Sequence, residues 1–286
     1  MESQSVRELQ RACCSVKQLL LDLHFNARSG HVGSALSCAE VLTFLKFHCC
    51  SSKDTIILSK GHAASALYSV LAMAGEIDAG ELRAKYYRDG TLFSAHPPPN
   101  KLPTIPFATG SLGHGPGIAA GLALGSKLLG RRDEQVFCVL SDGELNEGSV
   151  WEAFAFAAHH KLNNLVFVID LNKIQGFGRT KDVFNMEPLA EKLRSFGIAV
   201  GEADGHDFES LSSCYSFVSA EGRDLGAPSA VVAMTTKGRG LVGLADTVDC
   251  HYLPMTTEIY ESAVEFCQNE LRRLLSKQTG EDGHAS

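Results

Sequence analysis

Four short stretches restrict the fold more than anything else in this chain: "DTIILS" (54–59), "QVFCVLSD" (135–142), "NLVFVIDLN" (164–172) and "PSAVVAMTT" (228–236). Each is a near-continuous apolar run rather than an alternating one. That is the pattern of strands covered on both faces, and hence of a mostly parallel sheet. Helical periodicity fills the intervals. Residues 4–27 carry Leu9, Cys13, Val16 and Leu20 at three- and four-residue spacing. Residues 115–129, rich in Ala, Leu and Gly, read as a helix buried all round, with Gly121 and Gly125 serving close helix packing. Trp151, Phe154, Ala155, Ala158 and Leu162 mark one face of a third helix. The order strand–helix–strand–helix predicts an α/β fold: a doubly wound, mostly parallel sheet with helices on both faces. A single domain is expected over residues 1–275, followed by a flexible tail at 276–286. Pro97, Pro98 and Pro99 interrupt the pattern, so a long loop is expected from about 89 to 110.

Charge and composition narrow the function class. A formal net charge of −7 argues against a nucleic-acid partner. No apolar run approaches the roughly 20 residues of a membrane span. The first twenty residues also lack the basic start and small-residue cleavage site of a signal peptide, so a cytoplasmic location is expected. Nine cysteines, an odd number without C-x-x-C spacing, read as reduced thiols packed as small hydrophobes.

The chemistry gathers where the second apolar run ends. "VLSDGELNEGSVWEA" (139–153) delivers Asp142 to the tip of a strand that looks fully buried, and an unpaired buried carboxylate is costly. Asn172 ends the third run, 30 positions later. A helix of about 21 Å and a strand of about 23 Å nearly cancel over that interval. If the crossover joins neighbouring strands, both residues therefore stand at the carboxyl edge, where open α/β sheets bind ligands. One carboxylate and one amide oxygen suit Mg²⁺, which takes the rest of its shell from water and substrate phosphates. Gly143 lets a phosphate approach the backbone closely. On this pair alone an equally good reading remains, in which Asp142 caps the next helix and Asn172 opens a turn.

"SDGELNEGSVWEA" followed by "DLNKIQGFG" resembles the thiamine diphosphate signature in the form found in transketolases. Further segments match that family in the same order: "NARSGHVGSALSCAEVL", "LSKGHAASALYSVL", "HPPPNKLPTIPFATGSLGHGPGIAAGLALG" and "TTKGRGLVG", with His251 beyond. The resemblance spans about residues 6 to 260. It implies that Asp142, the Asn172 side chain and the Ile174 carbonyl hold Mg²⁺, with Ca²⁺ or Mn²⁺ able to substitute. Gly143 and His62 would contact the diphosphate of thiamine diphosphate, and Gly110, Ser111 and Leu112 would run beneath the cofactor. His31, His96 and His251 would ring the reactive carbon, and Glu147 would lie at a subunit contact. His159, His160 and His206 carry no such signal and read as helix-surface or turn residues.

The activity implied is two-carbon ketol transfer between a ketose and an aldose. Transketolase-like chains usually continue into a second domain that supplies a glutamate to the aminopyrimidine ring, and this sequence shows no such module. The resemblance is therefore to the amino-terminal subunit of a split transketolase, whose partner is a separate C-terminal subunit in an α2β2 assembly and whose substrates are sugars or sugar phosphates. Ser141 in place of the first glycine of Gly-Asp-Gly, His114 after Ser-Leu-Gly, and "LVGLADTVDCHY" without the usual Trp depart from the family pattern. The last points to an altered substrate mouth, and together they point to a specialised sugar substrate. Two rivals are the amino half of another thiamine enzyme, such as a 2-oxo-acid dehydrogenase or decarboxylase, and a non-catalytic subunit that kept the fold.

Overall fold

A computed structural model describes residues 3–98 and 102–281. Its strands are β1 (Thr55–Leu58), β2 (Val136–Ser141), β3 (Leu165–Leu171), β4 (Ile174–Gln175), β5 (Gly178–Arg179), β6 (Ala199–Asp204) and β7 (Ser229–Met234). Five of them form one sheet in the order β1-β2-β3-β7-β6, every neighbouring pair parallel. The short β4 and β5 make a separate antiparallel hairpin. Because the sheet is parallel throughout, the carboxyl ends of all five strands open on one edge.

Successive residues of a strand point to opposite faces, and both faces are packed. Phe137, Val139, Val166, Val168 and Val231 join one core with the long helix Ser3–Ala27. Cys138, Leu140, Phe167, Ile169 and Val232 join a second core with the helices His114–Leu128 and Gly148–His159. Each such side chain contributes about 1.5–3 kcal/mol by burial, which is why the four expected runs are apolar at nearly every position. All nine cysteines are free thiols, seven of them buried, as small hydrophobes should be. No helix among the described residues is long and apolar enough to cross a membrane.

Three expectations are corrected. Helix His114–Leu128 is not buried all round: Gly117 and Gly121 lie on an open face and Leu128 is 78% exposed. A methyl group built at Gly121 or Gly125 would touch nothing within 4 Å, so neither serves helix packing within this chain. Helix Gly148–His159 buries Val150, Ala153, Phe154 and Ala157, whereas Ala155 is exposed. In both helices small residues mislead, because alanine and glycine carry too little apolar area to define a face. As for the expected tail, the last helix runs Thr257–Glu281 and residues 282–286 lie outside the described residues, as do residues 99–101 of the expected loop.

Where helix His114–Leu128 begins, its backbone presses on the exit of β1. A Cβ at Gly115 would stand 2.2 Å from Ser59 Oγ and 2.8 Å from Ser59 Cα. Gly115→Ala is therefore expected to cost about 1–3 kcal/mol of stability by overpacking, read as a lower urea midpoint with unchanged slope. A second expectation concerns His24, which is 1% exposed, with Nε2 2.8 Å from Ser65 Oγ and Nδ1 2.8 Å from Ser29 Oγ. Burial pushes its pKa down to about 4. The unfolded chain binds a proton near the ordinary value of about 6.5, and the folded chain only near 4. Stability should therefore fall as pH drops through that window, by up to about 3 kcal/mol from this residue. Urea denaturation across pH 4–7 should show a shallower dependence in His24→Gln than in the wild type; identical slopes would exclude the assignment.

Candidate active site

The adjacency that the sequence left conditional is present. β2 and β3 pair directly, with Ser141 opposite Asp170, so Asp142 and Asn172 leave neighbouring strands at the carboxyl edge. Asp142 is 1% exposed. Its Oδ1 accepts from Gly143 N–H at 2.9 Å, and its Oδ2 accepts from Lys173 N–H at 2.7 Å and from Thr180 Oγ1 at 2.8 Å. Three donors do not neutralise a carboxylate: burial, reinforced by the nearby Asp170 charge, still holds its pKa above the ordinary range. Asn172 Oδ1 accepts from Ile174 N–H at 3.1 Å, which tightens the turn that presents the Ile174 carbonyl. Lys173, with φ of 66°, supplies the left-handed step of that turn.

Among the described residues no group of three or more His, Cys, Asp or Glu side chains is arranged to hold a metal. A cation here would draw on one carboxylate, one amide oxygen and one carbonyl, all hard donors, with waters and phosphate oxygens completing the shell. That set fits Mg²⁺. Burial, and after it the Asp170 charge, disfavours the Asp142 carboxylate, and a divalent ion bound there would compensate both.

Of the three other acids or amides beside Asp142 in "DGELNEG", each has a separate task. Glu144 is buried and structural: it accepts from Ser59 Oγ, from Gly113 N–H at 2.7 Å and from Ser141 N–H at 3.3 Å. Asn146 donates to Gln175 Oε1 at 3.1 Å. Glu147 is exposed at the start of helix Gly148–His159, next to Gly113.

Three of the expected histidines converge. Ring centroids of His31 and His251 are 4.8 Å apart, those of His31 and His62 5.6 Å, and those of His62 and His251 5.8 Å. Local structure explains the approach. His31 adopts φ of 67°, a left-handed conformation uncommon outside glycine, and its N–H donates to His251 O at 2.9 Å. A Cβ at Gly33 would collide with Cys250 Sγ at 2.5 Å, so glycine there lets the two segments touch. His62 follows Gly61, whose α-carbon packs on the Thr109–Gly110 peptide: a Cβ at Gly61 would lie 2.8 Å from Gly110 N. This contact sets Gly110 against the segment that carries His62, and exposed Ser111 and half-buried Leu112 follow Gly110 in the chain. His96 is exposed and packs over Gly110, whose built Cβ lies 3.1 Å from its ring. Burial lowers the pKa of all four imidazoles, with His251 pushed down to about 3, and the neighbouring lysines add to the shift at His31, His62 and His251.

Three charged residues escaped the sequence reading. Lys237, 1% exposed, donates from Nζ to Ile174 O at 2.8 Å and to His251 Nδ1 at 2.7 Å. Its ammonium thus links the expected metal turn to the histidine cluster, and burial brings its pKa down to about 8. Lys60 and Asp170 form an ion pair with both side chains fully buried. Asp170 also accepts from Ser37 Oγ at 2.5 Å and from Thr235 Oγ1. The signal was present: Lys60 and Lys237 lie inside "LSKGH" and "TTKGRG". Long cationic side chains, however, are exposed by default.

Residues 9–267 match the family described as "Transketolase, thiamine diphosphate binding domain". The chain is 34% identical over 276 residues to a subunit of the apulose-4-phosphate transketolase of Actinobacillus succinogenes, covering 93% of this chain and 98% of that one. It is 35% identical to human transketolase over 268 residues, which is 90% of this chain and 42% of the human protein. Against relatives of the human kind, the chain spans less than half their length. Among solved structures, transketolase from Campylobacter jejuni superimposes with a TM-score of 0.81 at 26% identity, over 96% of this chain and 46% of that one. The Leishmania mexicana enzyme gives 0.80 at 23% identity, a likeness of fold.

Proposed function

This chain belongs to the transketolase family, and from that premise we propose that it is the diphosphate-binding subunit of a two-polypeptide transketolase, transferring a two-carbon ketol unit from a ketose to an aldose. The observation that carries the reading is the meeting of Asp142 and the Asn172–Ile174 turn with Lys237, directly beside the cluster of His31, His62 and His251. Anionic and cationic groups sit where a magnesium diphosphate would be moored, and neutral imidazoles stand where a sugar would react.

Thiamine diphosphate, when bound, supplies the electron sink for cleaving a carbon–carbon bond next to a carbonyl. Asp142, Asn172 Oδ1 and Ile174 O would hold Mg²⁺, while Gly143, His62 and Lys237 would face the phosphate oxygens. Gly110, Ser111 and Leu112 would support the ring system. His31 and His251, kept neutral by burial, and the more exposed His96 can each both accept and donate a proton, as exchange at sugar hydroxyls requires. Lys237 donates to His251 Nδ1, so the proton of that neutral ring sits on Nε2. A partner chain would contribute the acid that activates the aminopyrimidine, and Glu147 lies at an exposed edge suited to that contact.

Two measurements separate the parts of this proposal. Calorimetric titration of the chain with thiamine diphosphate should show binding that requires Mg²⁺; metal-independent or absent binding would remove the cofactor assignment. Ketol transfer from xylulose 5-phosphate should require a second polypeptide, and full turnover by this chain alone would exclude the split architecture.

A further inference from the structure

The turn Gly205–Asp207 joins β6 to helix Phe208–Leu225 and stands against the exit of β7: Gly205 N–H donates to Met234 O at 2.8 Å. His206 lies on this turn, one of the two placements expected of it, and its side chain is only 6% exposed. Its Nε2 accepts from Thr236 N–H at 2.8 Å. A ring nitrogen that accepts from an amide carries no proton, so the imidazole is neutral with its proton on Nδ1. Nδ1 faces Glu40 Oε1 at 3.2 Å, off the line of a regular hydrogen bond. Glu40 is paired at 2.7 Å with Lys17 of helix Ser3–Ala27, and both side chains are 4% exposed. Burial opposes the Glu40 charge, yet Lys17 first and then His206 hold its pKa down to about 2.

Four consecutive residues after β7 are each tied to a different element. Thr235 Oγ1 donates to Asp170, Thr236 N–H to His206, Lys237 Nζ to Ile174 O and His251, and Gly238 N–H to Gly33 O at 2.9 Å. Only the Thr236 tie leads away from the site, into a buried ion pair the proposed reaction does not use. We propose that His206, backed by Glu40 and Lys17, is a positioning residue that fixes the Thr235–Thr236 peptide, immediately before Lys237, and so aims the Lys237 ammonium into the diphosphate seat. This rests on the reading of that seat given above. It also gives Glu40, within the "SALSCAEVL" segment, a role.

The test is Mg²⁺-dependent thiamine diphosphate affinity of the whole chain in His206→Leu, His206→Gln, Lys237→Met and the His206→Leu/Lys237→Met double variant. His206→Leu should bind roughly ten-fold more weakly, the scale of one lost hydrogen bond at a charged site. His206→Gln, whose Oε1 can stand where Nε2 does, should recover most of that loss. In the Lys237→Met background His206→Leu should add nothing, because the group it positions is gone. Equal loss with Gln and Leu, multiplying effects in the double variant, or wild-type affinity in His206→Leu would overturn the inference. Nitrogen-15 spectra of the wild type need neither cofactor nor variant. An Nδ1–H tautomer at His206 and a slowly exchanging Thr236 amide are expected, and an Nε2–H tautomer would refute the inference even if a variant fails to fold. Should the wild type bind no cofactor while the spectra are as expected, the functional reading has failed and the His206 anchor stands.

Discussion

Asp142→Ala should weaken Mg²⁺-dependent thiamine diphosphate binding by at least about 100-fold, or roughly 3 kcal/mol. Asp142 is the sole carboxylate of the expected metal set, so its loss removes the only formal negative charge contributed by the ligands themselves. It also strands three donors, the amides of Gly143 and Lys173 and the hydroxyl of Thr180. A hydrogen bond to a charged group is worth about 1.5–3 kcal/mol. The alanine variant should thus lose stability as well as affinity, which makes Asp142→Asn the sharper comparison. The amide keeps an oxygen for Lys173 and Thr180, and gives up the charge together with the acceptor for Gly143 N–H. It also relieves the repulsion from Asp170 that helps raise the Asp142 pKa. Its melting temperature without metal should stay near that of the wild type while Mg²⁺-dependent binding is lost. Wild-type cofactor affinity in Asp142→Asn would show that the carboxylate only orders the turn.

How much of this was legible in the sequence depended on burial. β1, β2, β3 and β7 are covered on both faces, so their runs stood out at nearly every position. β6 did not, because alternate residues of its second half face solvent: "AVGEAD" exposes Glu202 and Asp204 and carries no long apolar run. Asp142 and Asn172 could be read because each terminates a buried strand, where a polar residue is conspicuous. Lys237, Lys60 and Asp170 could not. Lys237 reaches the site because β7 inserts beside β3, Leu171 opposite Met234, and Lys60 meets Asp170 across β2, a strand order that no local pattern specifies. His206 is the turn residue it looked like, but its contacts were hidden for a related reason: only the tertiary fold packs Glu40 and the β7 exit around it. The imidazoles His31, His62 and His251 were anticipated through resemblance alone, since residues 31, 62 and 251 share no local periodicity.

Breaking the buried Lys60–Asp170 pair from one side should destabilise the protein by about 3–5 kcal/mol. Both side chains have no solvent exposure, so neither charge can reach water when its partner is removed. In Asp170→Leu the Lys60 ammonium would keep only neutral acceptors, Ser34 O at 3.0 Å and Ser37 Oγ at 3.4 Å. In Lys60→Met the Asp170 carboxylate would keep the hydroxyls of Ser37 and Thr235, so the lysine variant should be the milder of the two. The double variant Lys60→Met/Asp170→Leu removes both charges at similar volume and should recover much of the single losses, since apolar replacement of a buried pair is often neutral. The pair would then owe its presence to the site rather than to stability. Its negative end lies beneath Asp142 and raises that pKa, while its positive end lowers that of His62. Although burial opposes it, Lys60 keeps the Asp170 pKa below the ordinary carboxylate value. The stabilisation is therefore present above about pH 4 and lost as pH falls through the folded value. Urea denaturation at pH 7 decides the matter. A double variant as unstable as the sum of the singles would mean the pair acts through shape and hydrogen bonding instead of charge compensation.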